Sequence, residues 1–155
     1  FITVLNSARQ QYRESLDAGT LALVDHAIDE LANSGVIAQS LQVGDQVSNF
    51  ALSNTAGQTI EFYQRLAQGS VVVSFFRGMW CPFCNLELQG LEQAFPAIQS
   101  LGATLMAISP QKQRYSLATV ERHNLTFDVL NDGGQSGCSS IWNCASTSRI
   151  LTTCV

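Results

Sequence analysis

Two cysteines, Cys81 and Cys84, stand in a C-x-x-C arrangement between an apolar run at residues 71–76 and an amphipathic segment. The amphipathic segment is predicted to be a helix that begins at Pro82, because a proline at the first helical position loses no hydrogen bond. Cys81 then takes the N-cap, and both sulfurs lie near the same helix end. The positive end of the helix dipole favours thiolate over thiol. The pattern predicts a redox-active dithiol at a strand-to-helix junction.

Length and composition fit one globular domain without a nucleic-acid or membrane role. The chain has 155 residues, of which 46% are hydrophobic and 13% charged, so a sizeable core is expected. The formal net charge of −4 and the lack of a Lys/Arg cluster argue against nucleic acid as a partner. No apolar stretch reaches the length of a membrane span, and the first 15 residues lack the pattern of a signal peptide. We therefore expect a cytoplasmic protein.

The spacing of apolar residues predicts alternating helices and strands. Residues 5–34 are predicted as two helices broken near Gly19, with Thr20 as the N-cap of the second. A turn is predicted at 54–57, and Pro96 is expected to kink the long helix or to end its regular part. The further predicted elements are strands at 47–52, 59–62, 71–76, 103–109 and 126–130, and helices at 63–67, 82–100 and 115–123. Their order from the third strand onward is β-α-β-α-β, which implies parallel strands joined by crossovers.

Four segments carry a resemblance to a known family. They are GDQVSNFALSNTAGQTI (44–60), VVVSFFRGMWCPFCNLEL (71–88), LGATLMAISPQ (101–111) and LTFDVLND (125–132). Together they resemble the peroxiredoxin-like branch of the alkyl hydroperoxide reductase/thiol-specific antioxidant (AhpC/TSA) family, within the thioredoxin superfamily. The resemblance implies a thioredoxin-like three-layer α/β sandwich at residues 41–134, preceded by an N-terminal helical extension at residues 1–40.

The resemblance implies a thiol-dependent peroxidase. In this family a thiolate reduces hydrogen peroxide or an organic hydroperoxide, and a second thiol resolves the resulting sulfenic acid to a disulfide. Thioredoxin or a similar dithiol would recycle the enzyme, no cofactor is implied, and a homodimer is compatible with the resemblance. Two alternatives stay open: a thioredoxin- or glutaredoxin-like dithiol–disulfide oxidoreductase, and a non-catalytic fragment of the fold. A zinc site is not expected, because the C-x5-C spacing of Cys138 and Cys144 suits zinc poorly.

Two templates assign opposite roles to the cysteines. Typical peroxiredoxins carry the attacking Cys in a P-x-x-x-T-x-x-C pattern, which laid over this chain puts Cys84 at the attacking position and Cys81 at the Thr position. Arg77 falls on the Pro of that pattern, so the typical motif is absent. In thioredoxin and glutaredoxin the first Cys of C-x-x-C attacks, which makes Cys81 the nucleophile. The order stays open, with Cys84 preferred as the peroxidatic residue and Cys81 as the resolving one.

Three neighbouring side chains are candidates for supporting the cysteines. Arg77 follows the buried run and is expected to lower a thiol pKa. Trp80 precedes Cys81, as in the thioredoxin pattern, where this residue shields the disulfide. Glu87 lies three residues after Cys84, on the same helix face, and is a candidate for proton transfer. The alternative reading for each is an ordinary surface or half-buried side chain.

The sequence changes character after Gly134. Residues 135–155 contain no acidic residue, one Arg and three cysteines, and they show no amphipathic period. Shifted by one nucleotide, the codons of residues 141–145 allow Phe-Gly-Ile-Val, which the family resemblance expects there. We therefore hypothesise that a frameshift near Gly134 replaced the native C-terminal part. The fold would then be C-terminally incomplete, with an unpaired edge at the strand predicted for residues 71–76.

Overall fold

A computed structural model describes residues 2–133, except for the side chains of residues 37 and 39. Three helices come first, followed by two strands, and helices and strands alternate from α4 onward. In chain order the elements are α1 (Ile2–Glu14), α2 (Ala18–Asn33), α3 (Val36–Gln39), β1 (Ala51–Asn54), β2 (Thr59–Glu61), α4 (Phe62–Leu66), β3 (Val71–Phe75), α5 (Pro82–Ser100), β4 (Thr104–Ser109), α6 (Gln113–His123) and β5 (Asp128–Asn131). The proposed division into domains at residues 40 and 134 stays a prediction, and the frameshift hypothesis concerns residues outside the described ones.

The strands form one mixed sheet in the order β2-β1-β5-β4-β3. β3, β4 and β5 are parallel, while β1 runs antiparallel to both β2 and β5. α5 connects β3 to β4 and α6 connects β4 to β5, so the predicted β-α-β-α-β crossovers are confirmed. Within residues 2–133, β3 lies at one edge of the sheet. The carboxyl ends of the three parallel strands therefore meet on one side, where α5 begins.

Two hydrophobic clusters cover the two faces of the sheet. Along β4, Leu105 and Ala107 point into the first cluster, whereas Met106 and Ile108 point into the second, as the two-residue period of a strand requires. The first cluster holds α5 against the sheet through Leu88 and other buried residues, and it includes both Cys81 and Cys84. The dithiol therefore belongs to the packed interior beneath α5.

The N-cap of α2 is Asp17 and not Thr20, so that prediction is wrong. The Asp17 carboxylate accepts hydrogen bonds of 3.0 Å from the backbone N–H groups of Gly19 and Thr20. The Thr20 hydroxyl donates to the same carboxylate over 2.6 Å. A carboxylate at the N-cap satisfies two donors of the first turn, so the helix starts earlier and takes in Gly19.

The long helix α5 spans Pro82–Ser100, which confirms its predicted bounds. Pro96 lies inside the helix and does not end it, and a kink at Pro96 stays a prediction. Pro96 removes a single backbone donor of the helix. Phe95, which is buried, and Ile98 pack against the first cluster on either side of it in the sequence. The apolar contacts of the last turns thus maintain the helix.

The first strand also differs from prediction: it begins at Ala51 rather than residue 47.

Candidate active site

The C-x-x-C segment lies where β3 gives way to α5. Cys81 is the N-cap of α5 with extended backbone angles, and Pro82 is its first helical residue, as predicted. The Cys81 sulfur accepts a hydrogen bond of 3.4 Å from the backbone N–H of Cys84. Both cysteines are free thiols, with exposed fractions of 0% for Cys81 and 4% for Cys84. The helix start thus supplies Cys81 with a backbone donor inside a buried site.

Arg77 is the cation nearest to this site. Its Nη2 donates to the Cys81 sulfur over 3.0 Å, and its Cζ lies 5.1 Å from the centroid of the Trp80 ring. The indole therefore holds the guanidinium by a cation–π contact on one side while the sulfur accepts from it. Trp80 itself is 68% exposed, so it lies over Arg77 at the surface. The structure thus brings together Arg77, Trp80 and Cys81.

The two thiols differ in acidity. Burial raises the pKa of Cys81, but hydrogen bonds from the Cys84 thiol, the Cys84 N–H and Arg77 outweigh it, so the pKa lies below that of an ordinary cysteine. For Cys84, burial and the neighbouring Cys81 raise the pKa above the ordinary value, against smaller opposing contributions from Arg77. The lowered pKa therefore falls on Cys81 and the raised pKa on Cys84. Which of the two cysteines attacks stays a prediction.

Gly78 shapes the loop before the cysteines, and the sequence analysis missed it. Its φ is +149°, and a Cβ placed there would come within 2.8 Å of Trp80 Nε1. Its carbonyl accepts a hydrogen bond of 3.1 Å from the Cys81 N–H. Glycine is required for both the backbone angle and the close approach of the indole. The sequence signal that could have identified Gly78 is its position between an apolar run and the C-x-x-C segment.

Gln111, which lies just beyond β4, anchors the same loop. Its Oε1 accepts a hydrogen bond of 2.9 Å from the Met79 N–H. Its Nε2 donates to the hydroxyl oxygens of Ser116 and Thr119 over 3.2 and 3.3 Å. Both hydroxyls are fully buried in α6. The loop is thus fastened to α6 by one amide side chain, which no local sequence pattern indicates.

A second chain of hydrogen bonds joins the loop to the end of α6. Asn85 Nδ2 donates to the Met79 carbonyl over 3.0 Å, and Asn85 Oδ1 lies 3.3 Å from Nε2 of His123. Gln89 Nε2 lies 3.0 Å from the other ring nitrogen, Nδ1. The imidazole then carries its proton on Nε2 and accepts at Nδ1. Burial and the nearby Arg122 lower the pKa of His123, which favours this neutral form.

The remaining candidates lie outside this cluster. Glu87 accepts a hydrogen bond of 3.3 Å from the Ser74 hydroxyl on β3, and its role in proton transfer stays a prediction. Cys138 and Cys144 fall outside the described residues.

Within residues 2–133, no group of three or more His, Cys, Asp or Glu side chains could hold a metal ion. In the same part of the chain, none of the helices combines the length and apolar character needed to cross a membrane.

Comparison with known proteins places this geometry in context. Thiol-disulfide oxidoreductase ResA from Halalkalibacterium halodurans is 28% identical over 94 residues, which is 60% of this chain and 52% of that protein. The chain thus spans about half the length of the curated relatives it matches. Among solved structures, peroxidoxin BcpB from Mycobacterium tuberculosis has a TM-score of 0.58 at 22% identity, covering 60% of each chain. Peroxiredoxin Q from Xanthomonas campestris has a TM-score of 0.52 at 18% identity, covering 59% of this chain and 57% of that one.

These structural likenesses show the fold, and they confirm the thioredoxin-like α/β architecture. The model of the AhpC/TSA family matches residues 43–141, which is more than half of the chain. The match includes β1 to β5 and the whole C-x-x-C site. The chain therefore belongs to the AhpC/TSA family of thioredoxin-fold oxidoreductases, as the resemblance of its four segments predicted.

Proposed function

We propose that the chain is a thiol–disulfide oxidoreductase in which Cys81 attacks and Cys84 resolves. The observation that carries this proposal is the unequal stabilisation of the two sulfurs. Cys81 accepts hydrogen bonds from Arg77 and from the Cys84 N–H, and its pKa is lowered, whereas the pKa of Cys84 is raised. A thiolate is the nucleophile of disulfide exchange, so the first cysteine of the motif is the activated one.

The reaction then has two exchange steps. The Cys81 thiolate attacks one sulfur of the substrate disulfide, the substrate S–S bond breaks, and one substrate thiolate leaves. Cys84 loses its proton and attacks the Cys81 sulfur of the mixed disulfide, which releases the second substrate thiolate. Two electrons pass from the dithiol to the substrate, and a Cys81–Cys84 disulfide remains. A dithiol donor such as thioredoxin would reduce that disulfide by the same chemistry.

The raised pKa of Cys84 suits the order of these steps. One of its causes is the negative charge of Cys81, which disappears when Cys81 enters the mixed disulfide. Interactions with Arg77 lower the pKa of Cys84 and oppose that cause. Formation of the mixed disulfide therefore makes Cys84 easier to ionise at the moment when it must attack. Before that step Cys84 stays a thiol and donates a hydrogen bond to Cys81.

Peroxide reduction by the same pair is a second candidate, and the burial of Cys81 favours it. With an exposed fraction of 0%, the sulfur is reached more easily by a small peroxide than by the disulfide of a folded protein. The thiolate would attack the O–O bond, take one oxygen as sulfenic acid and release water or an alcohol. Attack by Cys84 on the sulfenic sulfur of Cys81 would then release one water and form the disulfide.

Single-cysteine variants test both candidates. With Cys84→Ser we expect a stable mixed disulfide at Cys81 with a disulfide substrate, or one sulfenate per chain with peroxide. With Cys81→Ser we expect neither product. Mass spectrometry of the thiol peptides and turnover with insulin or hydrogen peroxide separate the two activities. Adducts on Cys84 in the Cys81→Ser variant would overturn the proposed order, and ordinary cysteine reactivity in both variants would support a non-catalytic fragment. A cytoplasmic location and a homodimer stay predictions.

A further inference from the structure

A groove lies beside the cysteine site. It has a volume of about 490 Å³ and is lined by Met79 and Trp80 from the loop before α5, and by Pro110, Gln111, Lys112, Arg114 and Tyr115. Trp80 directly precedes Cys81 in the chain, so one wall of the groove adjoins the reactive segment. Small-molecule sites in proteins have volumes of about 300–1,000 Å³.

The groove is cationic although the chain as a whole is acidic. Lys112 and Arg114 line it, and Arg77 lies against the Trp80 ring, so three of the eight Lys and Arg residues of the chain are gathered here. Its lining residues include no carboxylate. Among the described residues neither Lys112 nor Arg114 has an ion-pair partner. Residues 134–155 contain no Asp or Glu that could neutralise them.

Two aromatic rings complete the groove. Trp80 is 68% exposed and Tyr115 is 40% exposed. Arg114 is held over the Tyr115 ring, with Cζ 4.7 Å from its centroid, and donates to the Tyr115 hydroxyl over 2.9 Å. The guanidinium of Arg114 is therefore already oriented, while its remaining donors have no carboxylate among the described residues. Cations stacked on partly exposed aromatic rings suit a ligand that combines carboxylates with an uncharged body.

We propose that this groove binds a low-molecular-weight disulfide that carries carboxylates, so that Lys112 and Arg114 determine the substrate class. The inference rests on the proposed disulfide exchange and names its substrate. The carboxylates contact Lys112 and Arg114, and the body of the molecule lies against Trp80 and Tyr115. Cys81 does not line the groove, so the exposed Trp80 next to it in the chain must move before the substrate disulfide reaches the Cys81 sulfur. The dithiol supplies both electrons, so one substrate disulfide becomes two carboxylate-bearing thiols and Cys81 and Cys84 become a disulfide.

The occupant is a small molecule because Cys81 is fully buried and the groove has the volume of a small-molecule site. The disulfide of a folded protein reaches a sulfur with an exposed fraction of 0% less readily than a small molecule does. The charge of the groove also predicts how rates depend on the substrate. Clusters of one charge sign raise the association rate of an oppositely charged ligand by roughly 10- to 1,000-fold, and salt weakens the effect.

Three disulfides of different charge test the proposal on the reduced full chain. They are glutathione disulfide, which is anionic, 2-hydroxyethyl disulfide, which is neutral, and cystamine, which is cationic. The rate of oxidation of Cys81 and Cys84 is followed by acid quenching, alkylation and peptide mass spectrometry. The double variant Lys112→Gln/Arg114→Gln is compared with Arg122→Gln, which also removes a positive charge from α6 but lies outside the groove.

In the double variant we expect oxidation by glutathione disulfide to slow about tenfold, oxidation by the neutral disulfide to stay within about twofold, and oxidation by cystamine to accelerate. Raising the salt concentration should slow only the anionic disulfide in the unsubstituted protein. Equal slowing with all three disulfides, or equal slowing of the anionic one in Arg122→Gln, would overturn the proposal. If no disulfide oxidises the pair in the unsubstituted chain, the disulfide exchange itself fails. If the pair is oxidised at rates that do not depend on the charge of the disulfide, only the assignment of the substrate class is wrong, and the disulfide exchange still stands.

Discussion

Arg77 and Cys81 are joined by a hydrogen bond of 3.0 Å from guanidinium Nη2 to the cysteine sulfur. The same guanidinium lies against the Trp80 ring, with Cζ 5.1 Å from its centroid. The cation is therefore held on a surface aromatic ring while it stabilises a buried sulfur. Because this contact favours the charged form of Cys81 over the neutral one, it links the loop before α5 to the reactivity of the dithiol.

Replacing Arg77 by methionine should make Cys81 less reactive. Methionine keeps much of the aliphatic bulk but removes the charge and the donor, so the pKa of Cys81 should rise. We expect alkylation of Cys81 by iodoacetamide at neutral pH to slow several-fold. Arg122→Met serves as the control, because Arg122 lies on α6 away from the sulfurs. An unchanged rate for Arg77→Met would show that the helix end and Cys84 alone stabilise the thiolate.

The stability of the reduced protein should depend on pH through Cys81. Its pKa is lower in the folded chain than in the unfolded one, so between the two values the unfolded chain binds more protons. In that window the stabilisation by Cys81 grows as pH rises, and it is lost as pH falls through the folded-state pKa. Urea unfolding of the reduced unsubstituted chain minus that of Cys81→Ser follows this contribution with the Cys84 thiol in place. A difference that shrinks with rising pH across the window would contradict the lowered pKa.

Gly78→Ala should destabilise the fold and disturb the position of Trp80. The substitution forces an L-residue to a φ of +149° and puts its Cβ 2.8 Å from Trp80 Nε1. We expect a loss of about 1–3 kcal/mol in the free energy of unfolding, measured in urea. Gly133→Ala is the control, since a Cβ there meets nothing within 4 Å. In the double variant Gly78→Ala/Trp80→Ala, the part of the stability loss that comes from the Cβ–indole contact should be recovered. If none is recovered, the whole loss comes from the backbone angle at residue 78.

Gln111→Leu should loosen the loop that carries Met79. The change removes the acceptor of the Met79 N–H and the donor to two buried hydroxyls. We expect a loss of about 1–3 kcal/mol in the free energy of unfolding. Hydrogen exchange at the Met79 amide should also accelerate. Gln113→Leu, whose side chain is exposed, should change neither quantity. Unaltered exchange in Gln111→Leu would show that Asn85 holds the loop by itself.

The alternation of elements and the location of the dithiol followed from the sequence. Apolar runs predicted β3 and β4 nearly to the residue. β4 is buried on both faces, which leaves a continuous apolar signal, whereas β3 keeps an apolar run although Val72 is exposed at the sheet edge. Pro82 marked the start of α5, since proline is compatible with the first turn of a helix. Thr20 misled the prediction of the α2 N-cap, because Asp17 competes for that position.

By itself the sequence determined a C-x-x-C pair at a strand-to-helix junction in a parallel α/β fold, because periodicity, proline and cysteine spacing act over a few neighbouring residues. It could not show that the pKa of Cys81 is lowered while the pKa of Cys84 is raised. That difference depends on where Arg77 points and how deeply each thiol is buried. The fastening of the loop by Gln111, which is 32 residues beyond Met79, and the cationic groove were likewise decided by the tertiary structure. Hydrogen bonds and electrostatic fields depend on distances in space, and only packing of the sheet and helices brings these residues together.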